Sequence, residues 1–365
     1  MPALRPEPLA GCGRAAQTLW SRPVEPIRRA VIDVGTNSVK LLVADVAGQD
    51  IRPVREESKQ TRLGHALYET RRLSPEAIAA TAQAVGTFAG AARQCQTALI
   101  RVIATSAARE AVNSAELTAA IEQASGLKAE IISGEQEAAM GFQGVTTDAR
   151  FADVPLFLLD VGGGSSQFTL GQGSHMSFCA SFPVGSVRLL EQFSPSDPPK
   201  TKELLDCRGW LRQFLQKEVK PRLGNELGAG GERSEIRGQR PANTSQNLVT
   251  PDAAGFKGGI QLVGVGGTAS ILGCMEAKLE DFDRERLEAT CLTAARISWH
   301  LERLWSLPLA GRKQIIGLPK NRADVILMGT AIYQAVMEEF GLSELHISTR
   351  GLRFAALMDS FRPQT

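Results

Sequence analysis

Three glycine-rich stretches of this sequence carry residues that could grip a phosphate. In FLLDVGGGSSQFTL, Phe157 to Leu170, an apolar run meets Asp160, then Gly162, Gly163, Gly164 and Ser165 follow, and alternation resumes at Phe168 and Leu170. That order predicts a strand, a tight turn and a second strand. Glycine leaves backbone N–H groups unshielded and reaches positive φ without steric cost, so such a turn can fold several amides around one anion. Asp160, at the strand end, could hold a divalent cation against that anion. The same pattern also fits a tight β-turn that binds nothing.

A second copy changes the balance between those readings. RAVIDVGTNSVKLLVAD, Arg29 to Asp45, repeats the arrangement: Asp33, Gly35 and Ser38 match Asp160, Gly162 and Ser165, all displaced by the same 127 residues. Internal duplication is the simplest account. Gly35, Thr36, Asn37 and Ser38 would form a second phosphate turn, facing the first across a cleft, with Asp33 a further metal candidate. A third turn, LVGVGGTAS, runs from an apolar strand into a helix and offers the amides of Gly266, Gly267 and Thr268.

Two further motifs supply a cation and a pair of carboxylates. In ATSAARE, Arg109 lies just beyond the strand expected at Leu99 to Ala104, where α/β proteins place ligands. In SGEQEAAMGFQGV, Glu135 and Glu137 stand in the first turn of a helix. Carboxylates there complement the helix dipole, and one facing the cleft could also act on a water.

The elements that must hold these residues follow from pattern. Strands are expected at Ala30 to Val34, Val39 to Val46, Ile51 to Glu57 and Glu130 to Ser133. Ser74-Pro75-Glu76 opens a helix, with Ser as N-cap and Pro at the first helical position. Helices follow at Thr201 to Val219, Thr268 to Cys274, Cys291 to Leu304, Ala323 to Phe340 and from Gly351, with a strand at Glu344 to Ile347. Strands followed by alternating helices and strands, twice over, predict a duplicated α/β fold with a cleft between its halves. A dinucleotide-binding fold is the competing α/β reading, but its glycine fingerprint opens a helix, whereas GGGSSQFTL opens a strand.

The expected domains are residues 27–147 and 148–349, after a disordered tail at 1–26. The helix at about 350–365 packs back on the first. Gly224 to Gly259, with eight glycines and few large apolar side chains, is expected to be a flexible insertion. The chain has 365 residues and a net charge of +2, so no global charge points to nucleic acid. No apolar run is long enough to span a bilayer. Six scattered cysteines without a C-x-x-C pair suit a reducing compartment, and a cytoplasmic address follows. Four scattered histidines argue against a zinc site.

With its motifs assembled, the chain resembles the exopolyphosphatase and guanosine pentaphosphate phosphohydrolase family, within the actin-like (ribonuclease H-like, sugar-kinase and Hsp70) superfamily. The resemblance rests on VIDVGTNSVKLLVADV, ATSAAREA, EIISGEQEAAMGFQGV, LLDVGGGSSQFTLG, VGVGGTAS and LPKNRADVILMGTAIY, in that order. It implies two actin-like domains that hydrolyse a terminal phosphoanhydride of polyphosphate or pppGpp, with Mg²⁺ (or Mn²⁺) in the interdomain cleft. It places the catalytic glutamate on Glu137, its arginine on Arg109 and the metal-associated aspartate on Asp160. Gly35, Asn37, Ser38 and Gly162 to Ser165 match its phosphate loops. The chain ends where short members end, and a homodimer is the default assembly. Family glutamates are replaced by Gln136 and Gln167, and the second replacement removes a charge that helps place metal or water. A non-catalytic nucleotide sensor and a small-molecule kinase of the same fold are the alternative readings.

Overall fold

The computed structural model describes residues 25–224 and 259–358. Most of the expected tail and insertion, and the last residues of the expected final helix, lie outside the described residues. Two mixed sheets dominate. The first has strand order β3-β2-β1-β4-β5, from β1 (Ile27–Val34), β2 (Ser38–Ala47), β3 (Asp50–Gln60), β4 (Leu99–Ala104) and β5 (Ala129–Ile131). The second runs β10-β11-β9-β6-β7-β8, from β6 (Leu156–Val161), β7 (Ser166–Gln172), β8 (His175–Phe182), β9 (Gln261–Val265), β10 (Cys291–Thr293) and β11 (Glu344–Ile347). Set side by side, three antiparallel strands followed by two parallel ones occur in each, so the duplication read from the turns extends to whole sheets. This is the duplicated actin-like α/β fold.

Register explains how the strands present their charged residues. Asp33 pairs with Lys40 across β1 and β2, and Asp160 pairs with Gln167 across β6 and β7. Because successive residues alternate between faces, Ile32, Val34, Leu41 and Val43 join the core under the helix Pro75–Gln94, while Val31, Leu42 and Ala44 join the one under the helix Leu352–Met358. The second sheet splits likewise, with Phe157 and Leu159 on one side, Leu156 and Leu158 on the other. Strands buried on both faces read as unbroken apolar runs, as β1, β2 and β6 do.

Local rules fix several boundaries. Ser74 Oγ accepts from Ala77 N at the start of Pro75–Gln94, and Ser133 with Gln136 closes a capping box on the helix Gly134–Val145. That cap uses Ser133, so the strand expected at Glu130 to Ser133 is instead Ala129–Ile131. The helix expected from Cys291 begins only at Ala294: Cys291–Thr293 pairs antiparallel with β11, and Thr293 Oγ1 caps the helix by accepting from Arg296 N at 3.3 Å. Strand β8 was not among the expected elements. Its alternation, HMSFCASF, is legible once a turn at Gly173, φ +61°, is recognised.

The helix Gly134–Val145 lies against the segment that opens the last helix, and Gly144 is the point of closest approach. A Cβ there would strike the backbone of Gly351. In an open helix, Gly→Ala stabilises by about 1 kcal/mol, but this clash is with main chain and costs about 1–3 kcal/mol. Gly144→Ala is therefore expected to lower the urea midpoint. An unchanged or raised midpoint would show that the two segments can separate freely.

Candidate active site

The C-terminal ends of β1 and β6 converge on one cleft of about 130 Å³. Asp33, Gly35, Thr36, Asn37 and Ser38 line it from the first half, and Asp160, Gly162, Gly163, Gly164, Ser165, Gly266, Gly267 and Thr268 from the second. Glu137 lines it as well. The two duplicated turns face each other: a Cβ on Gly163 would meet Thr36 Cβ at 2.9 Å, and one on Gly164 would meet Thr36 Oγ1 at 3.0 Å. Both turns close with the same bond, Gly35 N to Ser38 O at 3.1 Å and Gly162 N to Ser165 O at 3.0 Å. At Gly266, φ +80° and the Asp160 carboxylate, which a Cβ would strike, both demand glycine.

Glu137 and Glu135 divide as helix geometry requires. Glu135 is exposed, while the Glu137 side chain is 13% exposed and turned inward. Arg109, in the short helix Ser106–Glu110, donates from Nη1 and Nη2 to Glu137 Oε2, both at 3.2 Å, and from Nη1 to Ile132 O at 2.9 Å. Its guanidinium stands behind Glu137 and is not part of the cleft wall. Glu137 Oε1 has no hydrogen-bond partner among the described residues, so it can accept a proton from a water. Burial pushes the Glu137 carboxyl up to about 8, and the charges of Asp160 and Asp33 add to this while Arg109 opposes it. Burial first, and Asp33 second, push Asp160 up to about 6. Asp33 is raised for the same leading reason.

Three cations in the cleft were not singled out from the sequence: Lys40, Arg322 and Arg353. Lys40 shares the face of Ser38 two residues earlier on β2, a signal the period of a strand carries. Burial lowers its pKa, and Arg353 lowers it further. Arg322, within the LPKNRADV motif, donates to Ser38 Oγ at 2.7 Å. Arg353 comes from the last helix, far in sequence, and no local pattern marks it.

The two departures at glutamine have separate explanations. Gln136 is the capping-box residue, with Oε1 accepting from Ser133 N at 2.8 Å, and faces solvent. Gln167 is buried and donates from Nε2 to Ser165 Oγ at 2.8 Å and Ser181 Oγ at 3.0 Å. It therefore braces the serine of the glycine turn from beneath and does not line the cleft. In the duplicated register it occupies the place of Lys40.

A divalent cation fits this cleft. Asp33, Asp160 and Glu137 offer hard oxygen donors, and all three are held above the ordinary carboxylate range largely by burial, with mutual repulsion adding for Glu137 and Asp160. A hard cation among them would relieve both.

Fold and site together define an actin-like protein whose duplicated halves close on a cleft walled by glycine turns. Comparison with known proteins narrows that class. The Ppx/GppA phosphatase family model matches residues 42–362. Exopolyphosphatase 2 of Mycobacterium tuberculosis is 28% identical over 334 residues, covering 88% of this chain and 94% of the relative. A solved family member from Aquifex aeolicus superposes with a TM-score of 0.69 at 26% identity, covering 91% of this chain and 97% of that one. An exopolyphosphatase from Cytophaga hutchinsonii shares the fold with a TM-score of 0.75 at 21% identity, over 90% and 96% of the two chains. The chain belongs to the Ppx/GppA phosphatase family.

Proposed function

We propose that this chain is a phosphoanhydride hydrolase that releases the terminal phosphate of inorganic polyphosphate. One observation carries the reading: two facing glycine turns enclose a cleft in which the free oxygen of Glu137 points at the same space. The exopolyphosphatase names of its relatives supply the substrate class. Turn amides, Lys40 and Arg322 would bind the terminal phosphate, and Glu137 would orient a water and take its proton during in-line attack. Arg109 holds Glu137 in place. Asp160 and Asp33 would hold Mg²⁺ or Mn²⁺, which supplies Lewis-acid neutralisation of phosphate oxygens.

A second substrate, pppGpp, is favoured by a larger cavity. About 620 Å³ in volume, it opens off the same cleft at Ser38, Lys40, Gly267 and Arg322. Ile271, Leu279, Phe282 and Leu318 give it apolar wall, and Glu56, Glu57, Glu280 and Asp281 give it carboxylates. Glu56 is already paired with Arg284 and Arg353, and Glu57 with Arg55, which leaves Glu280 and Asp281 to accept from the N–H groups of a purine. Phosphate release from polyphosphate and from pppGpp, with Mg²⁺ or Mn²⁺, tests both arms. Release from neither substrate would sink the hydrolase reading, and tight nucleotide binding without release would select the sensor. ATP consumption dependent on an added acceptor would select the kinase.

The proton bookkeeping adds a pH expectation. Glu137 acts as a base only when deprotonated, and its pKa is raised, so phosphate release should increase with pH through an acid limb. Its midpoint should lie above the ordinary 4.5 and no higher than about 8, because a bound cation pulls it down from the metal-free position. An initial-rate profile that is flat across the acid range, with protein still folded, would remove Glu137 from the rate-limiting proton transfer.

No helix among the described residues is long and apolar enough to cross a membrane. Cys95, Cys179, Cys207, Cys274 and Cys291 are free thiols.

A further inference from the structure

The turn Gly162–Ser165 has its carbonyls tied down one by one. Gly162 O accepts from Ser186 N at 2.9 Å, and Gly163 O accepts from Val187 N at 2.8 Å and Arg188 N at 3.1 Å. Gly164 O accepts from a side chain instead, Arg188 Nε at 2.8 Å. In a planar trans peptide the N–H points opposite to the C=O. Fixing those carbonyls on the helix Ser186–Phe193 therefore aims the N–H groups of Gly163, Gly164 and Ser165 the other way. None of the three donates to a protein acceptor among the described residues.

The third of these N–H groups depends on one guanidinium. The rest of that guanidinium is engaged as well: Nη2 donates to Glu110 Oε1 at 2.7 Å and Oε2 at 2.6 Å, and the group lies over the Tyr68 ring, 3.9 Å from its centroid. Glu110 also accepts from Ser106 Oγ at 2.9 Å and is the neighbour of Arg109, which holds Glu137. The same helix makes a second tie to the first half, where Glu191 Oε1 accepts from Ala66 N at 2.7 Å.

We propose that Arg188 is a positioning residue: it aims the Ser165 N–H at the bound phosphate and locks that turn to the helix carrying Arg109, so that both halves of the site are set together. Resting on the hydrolase reading, this assigns a role to a charged group that never touches substrate. Without Arg188, the glycine at 164 lets its peptide rotate freely, and the negative end of the carbonyl can turn towards the anion. Lysine is no substitute. Its ammonium is a single point on a flexible stem and cannot serve Gly164 O, both Glu110 oxygens and the Tyr68 face together.

Tripolyphosphate binding by calorimetry in the presence of Mg²⁺, with amide resonances followed by ¹H–¹⁵N spectroscopy, tests the idea on wild type, Arg188→Lys, Arg188→Met and Glu110→Gln. Arg188→Lys and Arg188→Met are expected to lose about tenfold or more in affinity, the equivalent of one hydrogen bond to a charged group. The Ser165 amide should cease to shift on ligand addition while those of Asn37 and Ser38 still do, a selective change that general loosening would not produce. Glu110→Gln, which keeps the bond to Gly164, should lose less. Should Arg188→Met fail to fold, the lysine variant decides. Wild-type affinity with an intact Ser165 shift in either Arg188 variant overturns the proposal. If wild type binds tripolyphosphate but releases phosphate from neither polyphosphate nor pppGpp, the hydrolase reading falls and the binding comparison still judges Arg188. If wild type does not bind it at all, both fall.

Discussion

Glu137→Gln is expected to reduce phosphate release by about 10²–10⁴-fold, the range a positioned general base supplies, with the fold intact. The substitution keeps the volume and the carbonyl-type oxygen that Arg109 holds, and removes only the proton acceptor. Burial already pushes this carboxyl up to about 8, so replacing it with a neutral amide removes no charge that the metal-free fold needs. Steady-state phosphate release and a thermal melt, measured on the same preparations, check both halves of the statement. A variant that retains the wild-type rate would assign the base elsewhere, and one that melts far below wild type would leave the loss to unfolding.

Asp160→Asn should have the second large effect, and in opposite directions on activity and on metal-free stability. Asp160 is half-buried in the cleft wall, and its carboxyl is pushed up to about 6 by desolvation, then by Asp33. A raised carboxylate favours the native state while protonated: the contribution is complete below the ordinary 3.8 and is lost as pH rises through about 6. At pH near 8 the charged form is therefore a burden, on the order of 2–3 kcal/mol. Asparagine lifts it. The metal-free variant should melt higher than metal-free wild type at that pH. Added Mg²⁺ should raise the wild-type midpoint, by up to about 2.7 kcal/mol of stabilisation at a hundredfold excess over Kd, and leave the variant unmoved and without activity. Equal Mg²⁺ shifts in both proteins would take Asp160 out of the metal site.

The turns were legible in the sequence because their chemistry is local. Asp-x-Gly at the end of an apolar run fixes a strand end, an acid and a bare amide within a few residues, and its repetition announces the facing pair. Glu137 was legible only through its motif: the first-turn pattern left Glu135 and Glu137 open, the family resemblance chose Glu137, and the folded helix turns that residue, four after the serine cap, inward. What could not be read belongs to tertiary contact. Arg353 reaches the cleft only because the helix Leu352–Met358 covers the first sheet, where Arg29 Nη1 donates to Leu357 O at 2.7 Å and Arg353 Nη1 to Leu41 O at 3.1 Å. Gln167 looked like a lost charge beside the metal, yet its neighbours, Ser165 and Ser181, are set by the pairing of β7 with the unexpected β8. Cys291 to Thr293 followed a helical pattern until β11 offered it an edge.

The crossing of that last helix has a consequence for how the molecule matures. Phe354, Ala355 and Ala356 fill the layer beneath β1 and β2, and Arg353 enters the cleft with them, although the strands they cover are the first described elements to leave the ribosome. A nascent chain must therefore carry this layer of its interior bare until the helix Leu352–Met358 has been made. The same event that seals this interior delivers a cleft cation, so a partly translated copy cannot possess the finished site.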